Sequence, residues 1–314
     1  MTLLRRYATL IGFAAILLFF AISLPDTFLT SQNLINISQQ VSMLAVVAFA
    51  MTVVMAMGDF DLSVGSMASL SGVVAATLFV AGWSVPAGIA AALAVGLLGG
   101  LFNGLLVAGL GILPFVATLG TLTMFSGIAF TISDGRTIFG RDIPEGFGTF
   151  ARDALELGSL RIPSLTLVAL AVLAVVWFVL EHTSYGRRLY AIGGNMEAAR
   201  LAGVNVRRLR ASAFAITGLG AAGAGLMVAS RVASANPTQG AGLMLDAIAA
   251  VFLGMTMSEE AEPRVLATLV GVLILAVLDN GLTQLAVDSY VREILVGGII
   301  LAAVASARIG LGRG

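Results

Sequence analysis

Apolar stretches long enough to cross a lipid bilayer recur from one end of this chain to the other. A helix needs about 20 predominantly apolar residues to cross the roughly 30 Å hydrocarbon core of a membrane. Of the 314 residues, 59% are hydrophobic and only 11% are charged, a composition unlike that of a soluble globular protein. The sequence predicts an all-α integral membrane protein with a single transmembrane domain over residues 1–314. We expect about ten spanning helices, at roughly residues 1–24, 38–57, 66–82, 86–108, 113–132, 163–181, 211–230, 244–257, 265–285 and 289–306.

The arginines indicate how these helices are oriented. All 17 basic residues are arginine, and basic residues are more frequent in loops on the cytoplasmic side of a membrane. An even number of spans places both termini on one side, and with the termini inside, eleven arginines are cytoplasmic and six are not. Arg5 and Arg6 precede an apolar run that lacks a cleavage site, which we interpret as an uncleaved first helix. The sequence therefore predicts a multi-pass protein with cytoplasmic N- and C-termini.

Several side-chain types that common chemistry requires are missing. Without lysine, the chain cannot build the Gly-x-x-x-x-Gly-Lys-Ser/Thr loop that binds nucleotide phosphates. Cysteine is absent and His182 is the single histidine, so we expect neither disulfide chemistry nor a metal site. The net charge is zero and basic runs with interleaved aromatic residues are lacking, which argues against nucleic acid as a partner. No nucleophile–base pattern supports an intramembrane enzyme.

A polar, arginine-rich run covers residues 185–208. Within it, Asn195 is a residue type that caps helices, Glu197 would lie in the first turn, and Gly203 can end a helix in the left-handed conformation. These positions predict a helix of about two turns from Met196 to Ala202. A helix this short is marginal alone in water, so we expect it to pack against something. The alternative is an ordinary cytoplasmic loop with no partner.

Two acids, Asp59 and Asp61, lie in the segment Gly58–Ser66 between apolar stretches. Charged groups at membrane depth are costly and tend to face a cavity or a partner. The flanking glycines predict a bend, with Asp61 or Ser63 capping the next helix. We regard direct contact with a solute and a purely structural cap as equally plausible roles.

Other polar residues within the apolar stretches are candidates for lining a path. Amide and hydroxyl groups suit a hydroxylated solute, because they offer donors and acceptors without a strong charge. Each could instead form a hydrogen bond between helices. The stretch 244–257 is too short to cross comfortably and contains Asp246, which predicts an interrupted or re-entrant helix. The path candidates are Asp59, Asp61, Ser63, Asn103, Asp246 and Asn280, with Gln39, Gln40 and Asp279 as further polar positions.

The longest hydrophilic stretch outside the predicted membrane spans covers residues 133–163. In the predicted topology it lies on the outer face. Its mixed charge and its glycine and proline content suit a surface that docks a protein, and Arg136 and Arg141 are the candidate contacts. A merely solvated loop is an equally good interpretation.

The tripeptide Asn-Gly-Leu occurs at residues 103–105 and 280–282, near the ends of the fourth and ninth predicted spans. Each copy is followed by a loop and one more span. The ten spans could therefore be two sets of five with inverted topology, a common arrangement in transporters. Chance is a serious alternative in a chain rich in glycine and leucine.

Four segments give the chain its resemblance to a known family: Asp59–Ser66, Ile132–Arg136, Gly186–Gly203 and Leu245–Val251. Together they resemble the permease subunits of bacterial ABC sugar importers of the ribose, arabinose and xylose type. The resemblance implies a fold of about ten helices like that of the vitamin B12 importer permease, in a bacterial inner membrane. The chain departs from the family pattern at residues 255–263, where a glycine-rich sequence is usual.

The resemblance also implies partners and a function. The expected partners are an ABC ATPase subunit that holds ATP and Mg²⁺, a periplasmic sugar-binding protein, a second permease subunit, identical or not, and the surrounding lipid. The expected function is import of a monosaccharide such as a pentose, with no enzymatic activity and no cofactor in this chain. The alternative is a stand-alone ion-coupled carrier or channel. The residues expected to contact the ATPase are Gly193, Gly194, Asn195, Glu197, Ala198, Ala199, Arg200 and Gly203.

Overall fold

The computed structural model describes residues 2–140, 143–158, 160–258 and 260–311. These residues form thirteen α-helices and four short strands. The helices are α1 (Thr2–Ser23), α2 (Ser31–Met55), α3 (Val64–Val80), α4 (Val85–Gly104), α5 (Pro114–Ser133), α6 (Glu145–Arg152), α7 (Ser164–Trp177), α8 (Ser184–Gly194), α9 (Met196–Leu201), α10 (Val206–Val232), α11 (Leu243–Met255), α12 (Val265–Gln284) and α13 (Ser289–Leu311). The strands are β1 (Ile138–Phe139), β2 (Ala154–Leu157), β3 (Leu160–Pro163) and β4 (Ser234–Ala235).

Six helices among the described residues are long and apolar enough to cross a membrane. They are α2, α4 with its π-helical extension to Gly109, α5, α7 with its π-helical extension to His182, α10 and α12. Three shorter apolar helices accompany them, at Thr9–Ser23, Val64–Val80 and Leu243–Met255. The chain is therefore a mostly helical, multi-pass membrane protein, and the number ten stays a prediction.

The core is built around α2 and α10. In its most apolar window, α2 is 83% buried by the rest of the protein, whereas α7 is only 22% buried. The outer helices thus present apolar side chains to the surroundings, as a protein in lipid must.

Small residues let α10 approach its neighbours closely. A Cβ added to Gly218 would lie 2.9 Å from the Cα of Gly100 and closer still to the carbonyl oxygen of Gly96. The backbones of α10 and α4 are therefore in direct contact.

The stretch between α5 and α7 is folded. Strand β1 pairs antiparallel with β4, which follows α10, and β2 pairs antiparallel with β3. Between these pairs, α6 buries Phe147 and Ala151. The Ser230 hydroxyl of α10 donates a hydrogen bond of 2.5 Å to the carbonyl of Phe147. We call residues 134–163, without the undescribed 141, 142 and 159, the outer cap, because the predicted topology places them on the outer face.

The apolar stretch around residue 250 forms one short helix. Helix α11 has 13 residues without a break, and the non-helical segment 236–242 precedes it. That segment lies against two other helices: the Gln239 amide donates to the carbonyl of Gly225 in α10 (3.3 Å), and the Gly240 N–H donates to the Ser69 hydroxyl in α3 (2.9 Å). The helix is too short to cross a membrane comfortably, and a re-entrant course of the chain stays a prediction.

Candidate functional site

The bend between α2 and α3 holds a buried polar cluster. The Asp61 carboxylate is 1% exposed and accepts hydrogen bonds from the Ser63 backbone N–H (2.9 Å) and the Ser63 hydroxyl (2.6 Å). The Asn103 amide of α4 donates to the Ser63 hydroxyl (2.8 Å) and lies 3.4 Å from both carboxylate oxygens. The structure therefore brings together three of the predicted path residues.

The predicted caps at this bend are only partly present. Ser63 occupies the N-cap position of α3, but its side chain makes no capping hydrogen bond, so the Ser63 alternative is wrong, while Asp61 accepts the backbone N–H of Ser63. The hydroxyl instead donates to Asp61, which fixes the turn. The side-chain oxygen of Asn103 is buried and has no hydrogen-bond partner among the described residues, so it is an open acceptor beside the cluster.

Asp59 forms an ion pair with Arg210, near the beginning of α10. The Arg210 Nε donates to one carboxylate oxygen at 2.7 Å and a terminal guanidinium nitrogen donates to the other at 2.8 Å. The arginine and aspartate side chains are 15% and 6% exposed, respectively. This two-pronged arrangement is the strong, directional form of an arginine–carboxylate contact.

The polar run forms the two short helices α8 and α9. The Asn195 side chain accepts a hydrogen bond of 2.9 Å from the Ala198 N–H, which is the predicted cap. Helix α9 covers Met196–Leu201, and Gly203 follows in the left-handed conformation with φ of 83°. An exposed ion pair of 3.4 Å joins Glu197 to Arg200. The predicted short helix with its cap and its end is confirmed. We call residues 193–203 the α9 segment.

The α9 segment packs on the C-terminal end of α2. A Cβ added to Gly193 would overlap the carbonyl oxygen of Ala56, so the two backbones are in contact there. Ala199 is buried, whereas Leu201 is 82% exposed. Leu201 therefore places an apolar side chain at the surface of the α9 segment.

A charged cluster lies beside α8, at the beginning of α12. The Arg264 guanidinium is within 3.1 Å of Glu181, 3.2 Å of Glu262 and 3.8 Å of Glu260. The Tyr190 hydroxyl donates to the carbonyl of Pro263 (2.9 Å). Burial raises the pKa of Tyr190 above its usual range, and the nearby Glu181 adds to the shift. The hydroxyl therefore stays protonated and keeps this bond between α8 and the α11–α12 loop.

The remaining predicted path residues lie apart from the Asp61 cluster. Asn280 exchanges two hydrogen bonds, of 2.9 and 3.0 Å, with Asn33 of α2, so its amide joins two helices. Asp246 is half-buried in the first turn of α11, directly after the non-helical segment. Gln39 donates to the carbonyl of Ala151 in the outer cap (3.2 Å).

The two predicted docking residues belong to the outer cap. Arg136 is exposed and lies 3.3 Å from the exposed Asp134. Arg141 lies outside the described residues.

Sequence reasoning missed the partners of Asp59 and Asn280. Arg210 is 151 positions from Asp59, and Asn33 is 247 positions from Asn280. A usable signal was the charge balance at the inner ends of the helices, since a buried acid at such a position needs a cation.

A family model described as "Branched-chain amino acid transport system / permease component" matches residues 33–304. The chain belongs to this permease family. Ribose import permease protein RbsC of Bacillus subtilis (strain 168) is 39% identical to the permease, over 90% of this chain and 86% of that protein. Ribose import permease protein RbsC of Escherichia coli (strain K12) is 38% identical, over 90% of this chain and 87% of that protein. Xylose transport system permease protein XylH of Escherichia coli (strain K12) is 33% identical, over 96% of this chain and 91% of that protein. No solved structure matches the permease.

Proposed function

We propose that the chain is the membrane-spanning subunit of an ATP-driven importer for a monosaccharide, with a pentose as the substrate class. The observation that carries this proposal is the similarity, over nine-tenths of the chain, to proteins named for ribose import, together with the match to one named for xylose transport. The segments that carry the resemblance also coincide with structured features, namely the Asp61 cluster and the capped helix α9.

The α9 segment is the surface that we assign to the ATPase partner. Its exposed residues include Glu197, Arg200 and Leu201, a combination of charges around an apolar side chain that suits a protein contact. ATP and Mg²⁺ belong to the partner in this proposal, because a chain without lysine cannot build the phosphate-binding loop. The permease itself holds no cofactor and is not an enzyme.

The Asp61 cluster and the short helix α11 are the candidate walls of the solute path. The unpartnered oxygen of Asn103 offers an acceptor to a sugar hydroxyl. The non-helical segment before α11 supplies further backbone groups, as discontinuous helices do in other transporters. The cluster lies between the α2–α3 bend and α4, and the segment lies against α3 and α10.

The wider architecture is proposed on the same basis. The arginine distribution favours ten spans, one transmembrane domain and cytoplasmic termini in a bacterial inner membrane. The family resemblance favours a fold like that of the vitamin B12 importer permease and a second permease subunit, and the two Asn-Gly-Leu tripeptides favour inverted repeats of five helices. The outer cap, which is folded rather than a free loop, offers Arg136 to a periplasmic sugar-binding protein.

Uptake into proteoliposomes tests the proposal. The permease is reconstituted with the ATPase and the sugar-binding protein encoded by neighbouring genes, and uptake of labelled ribose and xylose is measured with and without enclosed ATP. We expect uptake of at least one pentose that needs both ATP and the binding protein.

The control is the permease reconstituted alone. ATP-independent uptake by the permease alone would support a carrier or channel instead. Failure of the complete, ATP-hydrolysing complex to take up either pentose would refute the assigned substrate class.

A further inference from the structure

The bend of residues 56–63 contacts three different helices through three consecutive residues. Their side chains extend in different directions, so each reaches a separate element of the core. The contacts are Asp59 with Arg210 of α10, Phe60 with Phe252 of α11 at a ring-centroid distance of 6.0 Å, and Asp61 with Asn103 of α4.

Both carboxylate oxygens of Asp59 are engaged by Arg210 rather than directed only at a solute. Each of its two carboxylate oxygens accepts a hydrogen bond from Arg210, and both side chains are largely buried. A planar guanidinium held by two parallel bonds resists both rotation and translation, which a single lysine contact does not. The pair therefore fixes the bend to the beginning of α10.

Both sides of the α9 segment contact this same bend. On its N-terminal side, Gly193 lies against the carbonyl of Ala56. On its C-terminal side, α10 begins at Val206, and Arg210 lies in its first turns. A displacement of α9 by a partner thus acts on the bend from two directions.

The other contacts of the bend lead to the proposed solute path. Phe60 packs on Phe252 in the short helix α11, and Asp61 lies two residues beyond Asp59. Side chains packed at native density transmit a shift to their neighbours rather than absorbing it. The bend consequently connects the α9 segment with α11 through packed side chains.

We infer that the Asp59–Arg210 ion pair is a positioning element that couples ATP hydrolysis to movement of α11, and that neither side chain binds the solute. This inference rests on the proposed function and deepens it. The two hydrogen bonds between Arg210 and Asp59 transfer a displacement of the α9 segment to the bend, and Phe60 transfers it to Phe252.

The test compares ratios of transport to hydrolysis in the complete complex in proteoliposomes. Breaking the pair with Asp59→Asn alone leaves an unpaired buried cation, which can prevent folding. The main variant is therefore the double substitution Asp59→Asn with Arg210→Gln, which removes both charges. Arg264→Lys is the matched control, because it alters a cytoplasmic arginine that also bonds carboxylates, outside the bend.

We expect the double variant to assemble and to hydrolyse ATP within about twofold of the wild-type basal rate, while sugar imported per ATP falls at least tenfold. Arg264→Lys should keep the wild-type ratio. A wild-type ratio in the double variant would overturn the inference, and so would failure of that variant to assemble, because the pair would then be only structural.

A raised KM for sugar with an unchanged ratio would also overturn the inference, since it would assign Asp59 or Arg210 to solute binding. If the wild-type complex itself imports no sugar, the proposed function fails instead, independently of the pair.

Discussion

The cap of α9 can be tested by a substitution that has a natural control at the cap of the next helix, α10. Asn195 caps α9 through the Ala198 N–H at 2.9 Å, and Asn205 caps α10 through the Arg208 N–H at 3.1 Å. Replacing either residue by alanine removes one capping bond, at a typical cost of about 1 kcal/mol. The two bonds are chemically alike, but the helices that they begin have 6 and 27 residues.

The consequences should therefore differ. A six-residue helix is marginal, so about 1 kcal/mol shifts the equilibrium between helix and coil by about fivefold. The apparent affinity for a partner that binds only the helical form falls in proportion to the population of that form. Helix α10 is stabilised by packing along its length, and the same loss leaves it folded.

We expect Asn195→Ala to weaken association of the permease with its ATPase by up to about fivefold, and Asn205→Ala to change it little. The measurement is the ATPase concentration that gives half-maximal sugar import in proteoliposomes. Asn195→Asp, which restores a capping acceptor, should return the value to that of the wild type. Equal weakening by both alanine variants would refute the argument, because the effect would then not depend on the marginal stability of α9.

Two further outcomes follow from packing and exposure. Gly218→Ala should destabilise the detergent-solubilised permease by about 1–3 kcal/mol, since it overfills the contact with Gly96 and Gly100. Gly223→Ala in the same helix, whose added Cβ would meet Val46 at an ordinary 3.7 Å, should be neutral or stabilising, and equal thermal unfolding of the two variants would contradict this. Leu201→Ser should leave thermal unfolding unchanged, because the Leu201 side chain is exposed. If the ATPase buries this side chain, the substitution removes about 1.5 kcal/mol of binding free energy and weakens ATPase association about tenfold. Unaltered association would exclude Leu201 from the interface.

Features determined by neighbouring residues could be predicted from the sequence. The cap at Asn195 and the end of α9 near Gly203 depend on hydrogen bonds that span three or four residues. The shortness of α11 followed from the length of one apolar stretch. These predictions required no knowledge of how the helices pack.

Features that depend on distant contacts could not be predicted. The sequence around Asp59 does not indicate whether this residue faces a solute or Arg210, because Arg210 is 151 positions away. The outer cap resembled a loop because β1 gains its order from β4, which follows α10. Asn280 likewise depends on Asn33, and a lone polar residue in an apolar stretch gives no indication of which helix will face it.

Helix α10 connects the two faces of the permease as one continuous rod. With 27 residues, it is about 40 Å long. Its N-terminal end carries Arg210, and its C-terminal end bonds to the outer cap through Ser230 and continues into β4. In the proposed assembly, a partner at the outer cap and one at the α9 segment would therefore contact opposite ends of the same helix. That helix would give the two binding events a mechanical connection that does not involve the solute.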